Sequence, residues 1–268
     1  MSSMPQPSAQ NKVTVPFIRA QKNIQPLTML TAYDYPTAQI LDRAGIDLIL
    51  VGDSVGTVLY GDENTLQVTL DDMVRHTRAV SKAANRALVV GDLPFMSYQV
   101  SKKQAIRSSG RLLKEAGAHA VKLEGGLEMA ETVSAIVRAG IPVMGHIGLT
   151  PQTIHAIGTY RIHGKTHQER DYLIASAKAL EEAGAFSIVL ECVEAKLASE
   201  ITQLVNIPTL GIGSGTGCDG QVLVGHDLVG LTAGRVPRFV QPTADLKANW
   251  HQAVEAYIQR TRENHARH

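Results

Sequence analysis

The stretch Ala44-Gly45-Ile46-Asp47-Leu48-Ile49-Leu50-Val51-Gly52-Asp53 decides how this chain folds. A helical pattern ends at Gly45, a run typical of a strand buried on both faces follows, and Asp53 stands just beyond that run. The same order recurs with Gly117 and Glu124, Gly140 and His146, and Gly184 and Glu191. A structural repeat explains the glycine and the strand. It does not explain why ionisable groups, which are costly to bury, stand at the strand ends.

Weaker copies of this unit complete a series of eight predicted strands that alternate with helices. The predicted strands are 27–30, 46–51, 87–90, 120–123, 141–144, 186–190, 207–210 and either 221–224 or 228–231. The helical patterns between them are 36–43, 70–84, 103–115, 129–138, 170–182 and 195–204. This order predicts an α/β protein with a (β/α)8 TIM barrel. An open doubly wound sheet, the alternative, needs fewer strands and a glycine fingerprint that this sequence lacks.

Two segments lie outside the eight units. Residues 17–25 precede the first strand and are expected to cap the barrel floor. Residues 243–260 are predicted to form an amphipathic helix that packs on the outer helices or on a neighbouring subunit. Its apolar residues at four-residue spacing are Leu246, Trp250, Val254 and Ile258. We expect a disordered tail over residues 1–12 and a single barrel domain, with this helix, over residues 13–268.

The composition excludes several functional classes. Hydrophobic residues make up 44% of the chain and aromatic residues 4%, so a large core must be mainly aliphatic. The net charge of +1 offers little attraction for nucleic acid or an anionic membrane, and no apolar run is long enough to span a bilayer. The start of the chain lacks the apolar region of a secretion signal, and two cysteines do not indicate a disulfide framework. We therefore expect a cytoplasmic protein with no nucleic-acid or membrane partner.

Several local motifs do not support a function. Gly164-Lys165-Thr166 lacks the earlier glycine and the preceding strand of a nucleotide-binding loop. The histidines between residues 155 and 167 have no cysteine partner, which disfavours zinc. Cys192 follows Glu191 directly, so strand alternation turns it away from that carboxylate and favours an inert core thiol. The glycine-rich segment 211–217 is equally compatible with a structural turn and with a ligand loop.

Three carboxylates, Asp53, Asp92 and Glu124, close the second, third and fourth predicted strands. Adjacent strands lie about 5 Å apart, so these carboxylates can converge on one cation. Oxygen ligands suit a hard ion such as Mg²⁺ and leave coordination positions for substrate and water. Without a cation the carboxylates would repel one another, and at least one would have a raised pKa. The competing interpretation is that each caps the following helix, but three in succession favour the metal.

Three more polar residues belong to the same end of the predicted barrel. Lys122 lies two residues before Glu124, so it points to the same side of its strand and can bind a substrate carboxylate or pair with Glu124. Glu191 ends the sixth strand, and its apolar flanks favour a general base. His146 is compatible with ligand binding or with orienting a neighbour. A metal, a cation and an opposed base suit removal of the proton beside the keto group of a 2-oxo acid.

The segments that carry this chemistry resemble one enzyme family, ketopantoate hydroxymethyltransferase (3-methyl-2-oxobutanoate hydroxymethyltransferase). They are Thr31-Ala32-Tyr33-Asp34, Val51-Gly52-Asp53-Ser54-Val55-Gly56, 91–96, 121–126, Gly145-His146-Ile147-Gly148-Leu149-Thr150-Pro151-Gln152, 190–193 and 219–224. The likeness keeps the order and spacing of the family from about residue 15 to about residue 240. The Asp-Ser pair alone also occurs in the related phosphoenolpyruvate mutase and isocitrate lyase group.

The resemblance implies a homodecameric enzyme of the phosphoenolpyruvate/pyruvate-like superfamily that acts in pantothenate and coenzyme A biosynthesis. It would transfer a hydroxymethyl group from the co-substrate 5,10-methylenetetrahydrofolate to 3-methyl-2-oxobutanoate, giving 2-dehydropantoate through a Mg-stabilised enolate. Position by position, Asp53, Asp92 and Glu124 would hold one Mg²⁺ per subunit, and Glu191 would be the proton acceptor. The residues that would contact the 2-oxo acid are Asp53, Ser54, Asp92 and Lys122.

The chain departs from the family pattern at residues 65–69, 158–160 and 213–215, none of which contains an implied metal ligand or the base. One alternative is a carbon–carbon lyase or phosphonate mutase of the related superfamily. It is disfavoured because nothing here resembles the cysteine motif of the lyase. A catalytically inactive barrel is disfavoured because crowded carboxylates would have no purpose in it.

Overall fold

Eight strands follow one another around a closed barrel, and the consecutive pairs from first to eighth are parallel. They are β1 (Leu27–Thr31), β2 (Leu48–Val51), β3 (Leu88–Asp92), β4 (Ala120–Glu124), β5 (Val143–Gly148), β6 (Ser187–Glu191), β7 (Thr209–Ile212) and β8 (Gly220–Leu223). The predicted (β/α)8 barrel is therefore confirmed. Of the two positions predicted for the eighth strand, 228–231 is wrong, because residues 225–228 form a short helix.

The computed structural model describes residues 12–234 and 236–265, which fall into two compact units divided between Val222 and Leu223. The predicted tail over residues 1–12 lies outside the described residues except for Lys12. The predicted single-domain boundaries stay a prediction. Within the described part of the chain, no helix is long and apolar enough to cross a membrane.

The helices of the first unit start and stop at residues suited to those positions. They are α1 (Val15–Ala20), α2 (Tyr35–Ala44), α3 (Leu70–Ala83), α4 (Lys102–Lys114), α5 (Ala130–Arg138), α6 (Ile154–Ile157), α7 (His167–Glu182) and α8 (Ala195–Leu204). Asp34, Ser101 and Thr166 precede α2, α4 and α7, and each side chain accepts a hydrogen bond from the first turn. Gly45 ends α2 at φ 88°, a left-handed conformation that glycine adopts at little cost.

The second unit contains two helices, α9 (Gly225–Leu228) and α10 (Leu246–His265). The second of these is the predicted C-terminal helix, which begins and ends a few residues later than the pattern indicated. No side chain of α10 is buried. Its apolar stripe is therefore exposed in the single chain.

Alternate residues of each strand face the barrel interior. In β3 to β6 the character of these residues changes from apolar to ionisable along the strand. The interior series are Leu88, Val90 and Asp92 in β3; Ala120, Lys122 and Glu124 in β4; Met144 and His146 in β5; and Val189 and Glu191 in β6. Val13 and Ile18 pack with the apolar interior side chains. The N-terminal segment thus caps the barrel floor, as predicted, and the polar groups lie at the opposite, C-terminal end of the strands.

Candidate active site

The structure brings Asp53, Asp92 and Glu124 together at the C-terminal end of the barrel; we call these three the carboxylate cluster. Each is at most 4% exposed. Asp92 and Glu124 are the last residues of β3 and β4, and Asp53 follows β2. The backbone N–H of Asp53 lies 3.4 Å from Asp92 Oδ2. Proximity of the three carboxylates, predicted from strand order alone, is therefore observed.

Burial and mutual repulsion change the acidity of this cluster. Desolvation raises the pKa of Asp53 well above its ordinary value, and the negative charges of Asp92 and Glu124 raise it further. Desolvation also raises the pKa of Asp92, although the nearby lysine opposes that shift. The expectation that crowding raises the pKa of at least one carboxylate is confirmed.

Lys122 is the cation closest to the cluster. Its Nζ lies 2.6 Å from Asp92 Oδ2, and the residue is 4% exposed. Burial lowers the pKa of Lys122, but attraction to Asp92, Glu124 and Asp53 outweighs burial and raises it above its ordinary value. The lysine is therefore held charged, and it pairs with Asp92 rather than with Glu124, the partner considered from the sequence.

The donor set of the cluster fits Mg²⁺. All of its donors are carboxylate oxygens, and Asp92 Oδ1 is buried with no hydrogen-bond partner among the described residues. Over residues 12–234 and 236–265, however, no three His, Cys, Asp or Glu side chains form a complete metal-binding group. Mg²⁺ commonly takes one or two protein carboxylates and completes its octahedron with water and substrate. Asp53 and Asp92 can supply that partial set, and the three-ligand site stays a prediction.

Glu191 and the cluster are linked through His146. His146 Nε2 lies 3.1 Å from Glu191 Oε2, and Nδ1 lies 3.5 Å from Glu124 Oε1. Burial and the Lys122 cation lower the pKa of His146, but attraction to the two glutamates outweighs them and raises it to about 9. The two carboxylates therefore favour the charged form of the buried imidazole. His146, to which the sequence assigned no role, lies between Glu124 and Glu191.

Ser54, expected to contact substrate, belongs to a chain of hydroxyl groups. Its Oγ lies 2.8 Å from the hydroxyl of Tyr33, which accepts a hydrogen bond of 2.9 Å from Thr31 Oγ1. Tyr33 is fully buried. The serine hydroxyl is thereby held at the edge of the site.

Two residues of the site, Gln152 and Tyr98, were not predicted. The side chain of Gln152 donates to Asp53 Oδ2 at 2.9 Å, and its backbone N–H donates to Glu124 Oε2 at 3.0 Å. The Tyr98 hydroxyl lies 3.0 Å from the carbonyl oxygen of Glu124. Gln152 closes the segment 145–152, whose likeness to the family was the only sequence signal for it.

Two of the motifs set aside from the sequence, the histidines between 155 and 167 and Cys192, lie within the described residues. Within the described residues the histidines between 155 and 167 form no metal-binding group. Cys192 is buried with φ 50°, and burial together with Glu191 raises its pKa to about 12. The thiol is therefore protonated at neutral pH, which agrees with an inert cysteine.

A closed (β/α)8 barrel with buried carboxylates, a lysine and a glutamate–histidine pair at the C-terminal end of its strands defines a class, the TIM-barrel enzymes. The sequence matches the ketopantoate hydroxymethyltransferase family over residues 12–265, and the chain belongs to that family. A relative from Clostridium novyi (strain NT), named 3-methyl-2-oxobutanoate hydroxymethyltransferase, is 54% identical over 253 residues, covering 94% of this chain and 92% of its own. The chain is therefore an enzyme of this family, as predicted.

Solved structures of other activities share the barrel. A 2,3-dimethylmalate lyase of the PEP mutase/isocitrate lyase superfamily matches with TM-score 0.62 at 17% identity, covering 95% of this chain and 89% of its own. A phosphonopyruvate hydrolase in complex with oxalate and Mg²⁺ matches with TM-score 0.61 at 13% identity, covering 93% and 87%. At such identities the likeness concerns the fold alone.

Proposed function

We propose that this enzyme transfers a hydroxymethyl group from 5,10-methylenetetrahydrofolate to 3-methyl-2-oxobutanoate and releases 2-dehydropantoate and tetrahydrofolate, in pantothenate and coenzyme A biosynthesis. The observation that carries the proposal is the buried carboxylate cluster joined through His146 to Glu191. Family membership and the printed name of the close relative support the same reaction. One water supplies the hydroxyl oxygen, because the folate carries the carbon as a methylene group.

The cluster is the proposed Mg²⁺ site, with Asp53, Asp92 and Glu124 as the ligands of one ion per subunit. When bound, Mg²⁺ would act as a Lewis acid toward the carbonyl oxygen of the 2-oxo acid. The Mg²⁺ named with the phosphonopyruvate hydrolase supports this choice of ion. Lys122 and the Ser54 hydroxyl, with Asp53 and Asp92, would contact the 2-oxo acid.

Glu191 is the proposed base that removes the proton from C3 of 3-methyl-2-oxobutanoate. Its carboxylate is 19% exposed, so substrate can reach it from the barrel opening. The His146 cation 3.1 Å away holds the carboxylate in one orientation. The carbanion then attacks the one-carbon unit in its iminium form, forming the new carbon–carbon bond.

We also propose that the enzyme is a cytoplasmic homodecamer. The assembly follows from family resemblance, and the exposed stripe of α10 offers a surface for contact between copies. Both cysteines, Cys192 and Cys218, are free, which suits a reducing compartment.

The direct test is proton exchange at C3 of 3-methyl-2-oxobutanoate, followed by NMR in D₂O with Mg²⁺ and without folate. The wild-type enzyme should exchange this proton, and adding 5,10-methylenetetrahydrofolate should give 2-dehydropantoate. Glu191→Gln should slow exchange by about 10²–10⁴-fold, the usual contribution of a general base. Glu131→Gln, an exposed glutamate on α5 that pairs with Lys102, is the matched control and should exchange normally.

Unchanged exchange in Glu191→Gln would show that another group is the base. No exchange by wild-type enzyme at saturating Mg²⁺ would count against the transferase itself. Turnover of isocitrate-like acids or of phosphonopyruvate would instead support the lyase or mutase alternative.

A further inference from the structure

The side chain of Gln152 uses its whole hydrogen-bonding capacity within the candidate active site. Nε2 donates to Asp53 Oδ2 and to the carbonyl oxygen of Leu93, both at 2.9 Å. Oε1 accepts from the Tyr98 hydroxyl at 2.8 Å and from Gln99 Nε2 at 3.2 Å. Because the side chain is only 2% exposed, water cannot replace these partners. Rotating the amide would leave buried polar groups unpaired, which is costly.

The orientation of this amide is dictated by its neighbours. An exchanged amide would place Oε1 against the carbonyl oxygen of Leu93, which cannot donate, and against Asp53 Oδ2, which cannot donate in its ionised form. It would also place Nε2 against the Gln99 amide nitrogen, which is itself a donor. The nitrogen of Gln152 therefore faces Asp53.

Gln152 holds a second carboxylate through its backbone, whose N–H donates to Glu124 Oε2 at 3.0 Å. Gln152 thus donates one hydrogen bond to an oxygen of Asp53 and another to an oxygen of Glu124. The third carboxylate, Asp92, is held through Oδ2 by Lys122. Within the part of the chain that the structure describes, Asp92 Oδ1 accepts no hydrogen bond. Each carboxylate of the cluster therefore accepts a hydrogen bond on one oxygen, and the other oxygen of Glu124 faces His146 Nδ1 at 3.5 Å.

The neutrality of Gln152 distinguishes it from Lys122. A lysine anchors a carboxylate and offsets its charge, whereas an amide fixes the direction of a carboxylate and leaves the charge in place. Mg²⁺ requires near-octahedral geometry, so the direction of each ligand affects its affinity. Partners that orient ligands in this way commonly tune metal affinity.

We propose that Gln152 is a positioning residue that orients Asp53 and Glu124 for a divalent cation. This inference rests on the proposed function, in which the carboxylate cluster holds Mg²⁺. Replacing Gln152 by methionine keeps the length of the side chain and the backbone N–H but removes the donor to Asp53. Removing such a partner typically weakens metal binding by about 10–100-fold, and we expect a change of that size.

The test measures Mn²⁺ binding to the full-length enzyme without substrate, by electron paramagnetic resonance of the free ion and by calorimetry. Gln152→Met should raise the Kd for Mn²⁺ by about 10-fold or more. The matched control is Gln104→Met, which removes an amide that donates to Met96 O outside the cluster. The control should bind Mn²⁺ as wild type does. A wild-type Kd in folded Gln152→Met would overturn the inference.

A second variant covers the case in which Gln152→Met does not fold. Tyr98→Phe keeps Gln152 but removes the hydroxyl that donates to its Oε1, and it should raise the Kd by a smaller factor than Gln152→Met. A wild-type Kd in Tyr98→Phe would then overturn the inference. In folded Gln152→Met, excess Mn²⁺ should restore the rate of proton exchange at C3 of 3-methyl-2-oxobutanoate. If the substitution had damaged the site itself, exchange would remain slow at every metal concentration.

Failure of the inference and failure of the proposed function give different results. Strong Mn²⁺ binding by wild-type enzyme without formation of 2-dehydropantoate would refute the transferase and leave the comparison of Kd values intact. If the wild-type enzyme transfers the hydroxymethyl group but Gln152→Met and Gln104→Met bind Mn²⁺ with equal Kd values, only the positioning role is refuted.

Discussion

At the scale of single residues, Lys122 is a buried cation that offsets part of the charge of the carboxylate cluster. It is a buried ammonium group in a site with several carboxylates, and it is paired with Asp92 at 2.6 Å. Removing one partner of a buried ion pair leaves the other charge desolvated and unpaired. Lys122 therefore contributes to stability as well as to the proposed binding of substrate.

We predict that Lys122→Met lowers the free energy of unfolding by about 3–5 kcal/mol in the presence of EDTA, because Asp92 loses its partner. Urea denaturation measures the loss. Mg²⁺ should stabilise this variant more than it stabilises wild type, because a cation then returns to Asp92.

The control for this prediction is Lys102→Met, which breaks an exposed ion pair with Glu131. Exposed pairs contribute at most about 1 kcal/mol. Equal losses in the two variants would contradict the assignment of Lys122 to a buried cluster.

The sequence predicts some of these residues and not others for a physical reason. Asp53, Asp92 and Glu124 are recognisable because each follows an apolar strand, and the order of strands in a barrel brings them together. Gln152 carries no such local signal. Its partner Asp53 lies 99 positions away, and only the folded loops bring the amide to that carboxylate.

At the scale of elements, Glu169 stabilises the loop between α6 and α7. Its carboxylate accepts hydrogen bonds of 3.1 Å from the N–H groups of Gly164 and Lys165 and lies 2.6 Å from Arg161 Nη2. The bond to Arg161 is the main cause that lowers the pKa of Glu169 to about 2. The same loop carries Tyr160, whose pKa is raised by partial burial and by Glu191.

We predict that Glu169→Gln lowers the free energy of unfolding at pH 7 by about 1 kcal/mol, since the carboxylate is partly exposed. The folded-state pKa lies below the ordinary value of 4.5, so the contribution is complete above pH 4.5 and is lost as the pH falls toward 2. Urea denaturation between pH 7 and pH 3 should show the wild type and the variant converging. A constant difference over that range would contradict the prediction.

Whole elements were predictable where a local pattern specifies them. The strands were recognisable from apolar runs after glycine, and α3 from its helical pattern over 70–84. In the structure Thr69 and Asp72 form a reciprocal cap at the start of α3. The π-helical turn Gly56–Tyr60 was not predicted, because such turns depend on the packing of a loop rather than on a repeating pattern. The eighth strand was ambiguous because two short apolar runs lie close together in sequence.

At the scale of the whole molecule, α10 carries an apolar stripe that the single chain leaves exposed. Its side chains are Leu246, Trp250, Val254, Tyr257 and Ile258, between 39% and 66% exposed. Exposed apolar stripes of this size commonly mark contact surfaces between proteins. Ten copies of the 28.9 kDa chain would have a mass of about 289 kDa.

We predict that the double substitution Trp250→Glu and Ile258→Glu shifts the mass in solution far below that of the decamer, because charge on the stripe opposes its burial. Light scattering or mass photometry measures the change. Gln252→Glu with Gln259→Glu adds the same charge to the opposite face of the helix and should leave the assembly intact. If the Trp250→Glu, Ile258→Glu protein is still a decamer, the apolar stripe is not a contact between copies. If the wild-type protein is a monomer, the proposed decamer is wrong.

The change from apolar to ionisable interior residues along β3 to β6 has a consequence for how such enzymes diverge. Leu88 and Val90 fill the barrel beneath Asp92. A substitution at the strand end therefore need not create a cavity in the layers below. Selection can then act on reactivity and on folding through different positions. A lyase and a hydrolase that share this barrel at 17% and 13% identity are what such a separation permits. New activities on this fold are therefore expected to arise by exchange of a few residues at the strand ends, with the apolar interior beneath them unchanged.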